Sequence, residues 1–220
     1  MTSTASRRQR LVRGRLALFV ASGGVAIVLG LVSSGVAGAT HGPPHTCEGQ
    51  AITSASLNAT NGDDFILGTT VKDVIAAGRG QDRVFTGSGN DYICGNEDSD
   101  IELEGGSDSD TINAGEGPDH LVSGGPGQDT ISGGSGNETT MAGGDGGDTM
   151  YGNLGTDTVG GEAGGDRIEG NDDGDDLFDG YQAETVLGGA GSDVLYRCND
   201  GVADTVSGVE TLVGPSDVYR

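Results

Sequence analysis

Three stretches decide the fold: residues 124–132 read GGPGQDTIS, residues 143–151 read GGDGGDTMY, and residues 188–196 read GGAGSDVLY. Each begins with two adjacent glycines and has a third glycine two residues later, then an aspartate two residues after that. An apolar residue follows two residues after the aspartate. A nine-residue pattern that returns in this way predicts a repeat architecture rather than a conventional domain. We number the nine positions so that the aspartate is position 6 and the apolar residue is position 8.

The pattern recurs without interruption from residue 59 to residue 196 and gives fifteen repeats. Thirteen have aspartate at position 6, namely Asp64, Asp73, Asp82, Asp91, Asp100, Asp110, Asp119, Asp129, Asp148, Asp157, Asp166, Asp175 and Asp193. Glu138 and Glu184 fill the same position in the other two. Position 8 is apolar in thirteen repeats, and only Glu102 and Thr140 interrupt it.

The period slips from nine to ten residues at three places. We assign the extra residues to Glu104, Ser123 and Ala142, which lie 19 residues apart, one pair of repeats plus one residue. This spacing predicts a continuous bulged corner at one edge of three successive coils. The sequence does not indicate a role for that corner.

The repeat has a physical explanation of its own. Positions 7–9 form a short strand with one inward side chain, and positions 1–6 form a tight turn whose glycines allow positive φ. Two repeats then make one flattened coil, and the coils stack into a parallel solenoid. Stacking brings each position-6 carboxylate close to that of the second repeat along, where like charges repel unless a cation lies between them. Carboxylate and carbonyl oxygens are ligands that suit Ca²⁺.

The pattern resembles that of the RTX, or haemolysin-type, calcium-binding repeats over residues 59–196. The resemblance implies an all-β, right-handed parallel β-roll with Ca²⁺ between stacked turns and the position-6 aspartates as ligands. Carbonyl oxygens of turn glycines would complete the sites, from Gly78, Gly80, Gly87, Gly89, Gly115, Gly117, Gly125, Gly127, Gly144, Gly146, Gly189 and Gly191. In that family the repeats usually follow a protease, lipase or toxin domain, whereas here a leader and a short cap precede them.

Charge is distributed unevenly along the chain. Residues 40–220 contain all 34 acidic residues and only six of the 11 Lys and Arg residues. Such a surface repels phosphate groups, so we expect no nucleic-acid partner and expect cations to bind instead.

The N-terminal segment predicts export. Five arginines precede an apolar run from Leu16 to about Val36, and Ala37-Gly38-Ala39 follows. This order is typical of a secretory signal peptide spanning residues 1–39, and it predicts a secreted, extracellular protein with no stable membrane insertion after cleavage. The alternative is an uncleaved membrane anchor, because the apolar run is long enough to span a bilayer.

Two short segments are expected to cap the repeat domain of residues 59–196. Residues 40–58 form the N-terminal cap, and residues 197–220 form the C-terminal cap, where 204–206 and 210–212 repeat the pattern out of phase. The pairing of Cys47 with Cys94 resembles that in small exported actinobacterial repeat proteins, and it implies a disulfide that leaves Cys198 unpaired. The alternative is two unpaired thiols.

Catalytic motifs are lacking, and we expect no enzymatic activity. After residue 39 the sequence has neither G-x-S-x-G nor H-E-x-x-H, and His120 is the only histidine in the repeats. A thin solenoid is also expected to offer no convergent pocket. The main alternative to a calcium-binding protein is a calcium-stabilised adhesion or surface-interaction module with a cell-surface or polysaccharide partner.

Overall fold

A computed structural model describes residue 47, residues 59–198 and residues 200–214. All of these lie in the compact unit Gly38–Arg220. They form seventeen strands, and no stretch of them forms a helix that could cross a membrane. The prediction of an all-β parallel β-roll is therefore confirmed, whereas the predicted signal peptide lies outside the described residues.

The strands alternate between two parallel sheets. One sheet contains β1 (Phe65–Leu67), β3 (Arg83–Ser88), β5 (Glu102–Ser107), β7 (Val122–Pro126), β9 (Met141–Asp145), β11 (Thr158–Ala163), β13 (Asp176–Phe178), β15 (Val194–Tyr196) and β17 (Thr211–Val213). The other contains β2 (Val74–Gly78), β4 (Tyr92–Asn96), β6 (Thr111–Glu116), β8 (Thr130–Ser135), β10 (Thr149–Leu154), β12 (Arg167–Asp172), β14 (Thr185–Ala190) and β16 (Thr205–Ser207). Each strand pairs with the second strand along the chain, so every two repeats complete one coil.

The core is a double column of inward side chains. Position 8 supplies the large ones, and position 1 of the following turn supplies a second, small one. In β6, for example, Ile112 and Ala114 are both 1% exposed, while Asn113 between them faces outward. The predicted strands were therefore too short, because most of them continue into the first residues of the turn.

The three extra residues are not where the sequence analysis placed them. The assignment to Glu104, Ser123 and Ala142 is wrong, because these residues pair regularly with their neighbours in β3, β5, β7, β9 and β11. Leu103, Val122 and Met141 are the inward residues, and they pair with one another in consecutive strands of the sheet.

The insertions instead precede the inward residue. In the first of them, the N–H groups of Ile101 and Glu102 both donate to the carbonyl oxygen of Asp82, at 2.9 and 3.3 Å, which is the geometry of a bulge. This placement keeps Glu102 out of the core and makes position 8 apolar in all fifteen repeats. Because β5, β7 and β9 are adjacent strands, the three insertions do stack over successive coils, but they lie at the start of these strands and not at the predicted corner before the glycine pairs.

Both ends of the repeat region are extended by further structure. Strands β16 and β17 continue the two sheets, with Val206 beside Val186 and Leu212 beside Leu195. Cys47 forms a disulfide with Cys94, whereas the Cys198 thiol is free. Cys47 and Cys94 pack with Val74 and Ala76 in a small buried cluster on the 8-stranded sheet. The rest of the predicted N-terminal cap lies outside the described residues.

Removing this disulfide is expected to destabilise the calcium-loaded fold. The bridge closes a loop with a sequence separation of 47 residues, and restricting the unfolded chain to this extent stabilises a protein by about 4 kcal/mol. Cys47→Ser should lower the free energy of unfolding in denaturant by about this amount, whereas Cys198→Ser serves as the control. Equal losses in the two variants would contradict the structural role of the bridge.

Candidate metal sites along the two edges

The position-6 carboxylates form one ladder along each edge of the roll. Ladder A consists of Asp64, Asp82, Asp100, Asp119, Glu138, Asp157, Asp175 and Asp193, and ladder B consists of Asp73, Asp91, Asp110, Asp129, Asp148, Asp166 and Glu184. In both ladders the Oδ1 atom accepts a hydrogen bond from the backbone N–H one coil earlier. Asp129 N, for example, lies 2.8 Å from Asp148 Oδ1, and Asp148 N lies 2.9 Å from Asp166 Oδ1. The predicted proximity of carboxylates in alternate repeats is therefore found.

The second carboxylate oxygen is buried and makes no hydrogen bond within most turns. This holds for Oδ2 of Asp82, Asp91, Asp100, Asp110, Asp119, Asp129, Asp148, Asp157, Asp166, Asp175 and Asp193. These eleven side chains are between 0% and 3% exposed. Buried polar atoms nearly always have a partner, since burying a charged oxygen without one is costly. A row of such oxygens indicates a site for cations.

Position 1 is glycine in most repeats because the position-6 carboxylate of the same turn occupies the space that a side chain would need. A Cβ added to Gly124 would lie 2.3 Å from Asp129 Oδ2 and 2.7 Å from the carbonyl oxygen of Gly143 in the next coil. A Cβ added to Gly143 would similarly lie 2.6 Å from Asp148 Oδ2. All three distances are too short for a side chain at these positions. The glycine thus leaves room for two oxygens from different coils to approach one another.

Burial makes the ionised carboxylates unfavourable. It raises the pKa of Asp100 to about 8 and those of Asp110 and Asp175 to about 7. It also raises the pKa to about 6 at Asp82, Asp119, Asp129 and Asp166. Neighbouring ladder carboxylates add to the effect in several of these, whereas the hydrogen bond from the preceding coil opposes it. A divalent cation at these oxygens would offset the cost that keeps the pKa high.

Turn carbonyls supply the other oxygens. The twelve predicted ligand glycines all lie at positions 2 and 4, where positive φ is the rule. There the carbonyl oxygen of one turn faces the same position of the next: a Cβ added to Gly144 would lie 2.1 Å from Gly125 O, and one added to Gly146 would lie 1.5 Å from Gly127 O. These carbonyls therefore lie between stacked turns, on the same edges as the carboxylates.

Seven non-glycine residues occupy equivalent positions and were not predicted. They are Asn96, Asp98, Asp108, Asn153, Glu162, Asn171 and Asp173, and their φ angles lie between 69° and 81°. Their carbonyls have the same direction: Asn96 O lies 2.3 Å from a Cβ added to Gly115, and Asp173 O lies 1.8 Å from one added to Gly191. Asparagine and aspartate tolerate positive φ better than other side chains, and their recurrence at positions 2 and 4 was the available signal.

The two glutamates alter their ladders locally. Burial and the nearby Asp157 carboxyl raise the pKa of Glu138 to about 9. The longer side chain of Glu184 lets its Oε1 accept a hydrogen bond from Gln182 N, at 2.7 Å, within its own turn. Glutamate thus preserves a buried carboxyl group at position 6 but changes where its oxygens lie.

The donor set suits a hard cation. Within the described ranges, no group of three or more His, Cys, Asp or Glu side chains could hold a metal ion. A metal at the ladders would therefore depend on one or two buried carboxylates and several backbone carbonyls. An all-oxygen set of this kind suits Ca²⁺ and does not suit metals that prefer sulfur or imidazole ligands.

A separate groove lies on the outer face of the 9-stranded sheet. Its volume is about 550 Å³, and its lining includes Ala142, Gly160, Phe178, Tyr181 and Glu162. The small residues on β9 and β11 form its floor, and the Phe178 ring stacks on Tyr196 beside it. Steps between small and aromatic outward residues create this groove.

Comparison with known families agrees with this geometry. The model described as the RTX calcium-binding nonapeptide repeat (4 copies) matches residues 67–102, 104–139, 121–144, 138–168 and 160–195, more than half of the chain. No curated protein and no solved structure matches. Repeats of the matched kind, folded as a parallel β-roll with carboxylate and carbonyl ladders at both edges, assign the chain to the RTX calcium-binding nonapeptide repeat family.

Proposed function

We propose that this chain is a secreted, non-enzymatic protein whose β-roll folds as several Ca²⁺ ions bind between its stacked turns. The observation that carries this proposal is the set of eleven buried aspartates whose Oδ2 atoms have no hydrogen-bond partner. Export is supported by the N-terminal sequence, which has the order of a signal peptide.

Each ion would be held by oxygens from successive coils. The ligands are the position-6 Oδ2 atoms together with the carbonyl oxygens at positions 2 and 4, including those of the seven non-glycine residues. The ion supplies positive charge where the buried carboxylates would otherwise repel one another. The chain's own contribution is to fix the carboxylates through the hydrogen bonds at Oδ1 and to bring the turns close together with glycine.

The adhesion alternative rests on the groove of the 9-stranded sheet, where Phe178 and Tyr181 are 41% and 66% exposed. Calcium would be structural in such a protein as well, so the two functions share the ladders. Calcium-dependent retention of the chain on cells or on insoluble polysaccharide would distinguish an adhesion module from a protein that only binds calcium.

Counting ions in two alanine variants tests the ladder sites. Asp148 has stacked neighbours on both sides, Asp129 and Asp166, so Asp148→Ala should remove about two ions. Asp172 lies at position 3 and is exposed, so Asp172→Ala removes the same charge without touching a ladder. Equilibrium dialysis of both variants and the unchanged chain gives the ion counts.

The result for the control decides between two kinds of binding. If both variants lose the same number of ions, calcium is held diffusely by the acidic surface and the ladder sites are wrong. A loss confined to Asp148→Ala supports ions held at defined positions.

A further inference from the structure

The first turn of each ladder differs from the turns that follow it. Asp64 Oδ2 accepts hydrogen bonds from the N–H and the hydroxyl of Thr60, at 2.6 and 2.9 Å. Asp73 Oδ2 accepts the same two hydrogen bonds from Thr69, also at 2.6 and 2.9 Å. Both threonines stand at position 2, where the later turns have glycine, asparagine or glutamate. The oxygen without a partner in the inner turns is thus hydrogen-bonded by threonine at this end.

The position-4 carbonyls of these two turns also have a different direction. The atoms nearest to a Cβ added to Gly80 are Gly62 C and Asp63 N, and those nearest to one added to Gly89 are Val71 C and Lys72 N. In the inner turns the nearest atom is the carbonyl oxygen itself. The threonine hydroxyls lie 3.2 Å from Gly62 O and 3.1 Å from Val71 O, and this contact explains the change. The first turns therefore lack the bare carboxylate oxygen, and their position-4 carbonyl is directed differently from that of the inner turns.

The last turn contains a cation of its own. Arg197 stands at position 1 and its side chain is only 3% exposed. Its Nη2 lies 2.6 Å from Asp204 Oδ2, and its Nε lies 3.5 Å from Asp179 Oδ2. Asp204 continues ladder B, because its Oδ1 accepts a hydrogen bond from Glu184 N at 3.4 Å. The guanidinium thus lies between two buried carboxylates that belong to different turns.

The pKa of the ladder aspartate in this turn is shifted in the opposite direction from the pKa values in the inner turns. Burial alone would raise the pKa of Asp204, but hydrogen bonds from Arg197 and from Glu184 lower it. In the inner turns, burial prevails and the pKa of position 6 is raised. Arg197 therefore provides within the protein the positive charge that the inner turns lack.

We propose that the two ends of the roll are closed by protein groups in place of calcium, with Thr60 and Thr69 at the N-terminal end and Arg197 at the C-terminal end. This inference rests on the proposed function and adds which turns bind the ions: those that end in Asp82 through Asp193. Among the described strands, an end coil has a neighbour on one side only, so an ion there would lack half of its carbonyl ligands. The threonine donors and the Arg197 guanidinium satisfy these carboxylates without an ion.

Two variants of the full chain should each gain a site. Thr69→Gly combined with Val71→Gly gives the second turn glycine at positions 1, 2 and 4, and it should bind about one more ion than the unchanged chain. Arg197→Gly leaves Asp179 and Asp204 without their cation and should also gain about one ion. The matched controls are Thr70→Gly, an exposed neighbour in the same turn, and Arg167→Gly, whose side chain is 46% exposed. Equilibrium dialysis with Ca²⁺ gives the counts.

The outcomes separate this inference from the proposed function. If neither end variant binds more calcium than the unchanged chain, the ends are not closed in the proposed way. If the unchanged chain itself binds no calcium, the proposed function fails. If Arg197→Gly does not fold, the N-terminal double variant still tests the inference, because it leaves the C-terminal turn intact. The number of ions bound by that variant then decides the inference.

Discussion

In the presence of a chelator at neutral pH, the chain is expected to lose its β structure almost completely and to regain it in millimolar Ca²⁺. Fourteen buried acidic groups at position 6 would otherwise carry unbalanced charge beside a thin core. Each ion at ten times its dissociation constant contributes about 1.4 kcal/mol by mass action, so ten ions contribute about 14 kcal/mol. That is as large as the total stability of a typical domain. Far-UV circular dichroism during a calcium titration measures the change.

Magnesium provides the control for ionic strength and charge. Mg²⁺ requires a tighter octahedral site and gives up its water reluctantly, so it should substitute poorly at the same concentration. A full β spectrum in chelator, or equal recovery with Mg²⁺, would show that calcium does not decide the folding of this chain.

Acid is expected to fold the calcium-free chain. Burial raises the pKa of seven ladder aspartates to about 6, 7 or 8, against about 3.9 in an unfolded chain. A carboxyl whose pKa is raised on folding stabilises the fold fully below its unfolded pKa, and this stabilisation is lost as pH rises through the folded pKa. A rise of only one pKa unit at each of the seven groups would change the free energy of folding by about 10 kcal/mol in total. In chelator, β structure should therefore appear as pH falls from 8 to 4, opposite to ordinary acid unfolding.

Screening by salt separates this effect from general repulsion. At 1 M NaCl the Debye length is about 3 Å, so repulsion between exposed charges is largely removed. If salt at pH 8 restores the chelated chain as well as acid does, the surface charge and not the buried ladder controls folding. If the chelated chain stays unfolded at pH 4, the burial of neutral ladder carboxyls does not stabilise the roll.

Much of the fold could be predicted because a period constrains every repeat at once. The positions of the strands, the pairing of alternate repeats and the two edges all follow from the spacing of aspartate and the apolar residue. The bulges were misplaced because the aspartate spacing shows that a residue has been added without showing where. Glu102 and Thr140 at an inward position were the signal, since moving the insertion ahead of Leu103 and Met141 removes both exceptions.

The site was predictable in part for the same reason. The aspartates and glycines of the best repeats lie where the pattern placed them, although the ligand role stays a prediction. The positive-φ asparagines and aspartates were not predicted because glycine alone was used to recognise a turn. Thr69 and Arg197 could not be interpreted from sequence, because their importance depends on hydrogen bonds to Asp73 and Asp204 that only the folded end coils contain.

The alternation of strands between two sheets also limits how such a gene can change length. Deleting one nine-residue repeat would transfer every later strand to the opposite sheet and every later carboxylate to the other ladder. The stacked bulges of β5, β7 and β9 would then no longer share an edge if the deletion fell among them, and Arg197 would meet a different ladder. Deleting or duplicating two repeats together preserves all of these relations. Recombination that survives selection should therefore join points 18 or 19 residues apart, so that such proteins evolve by whole coils.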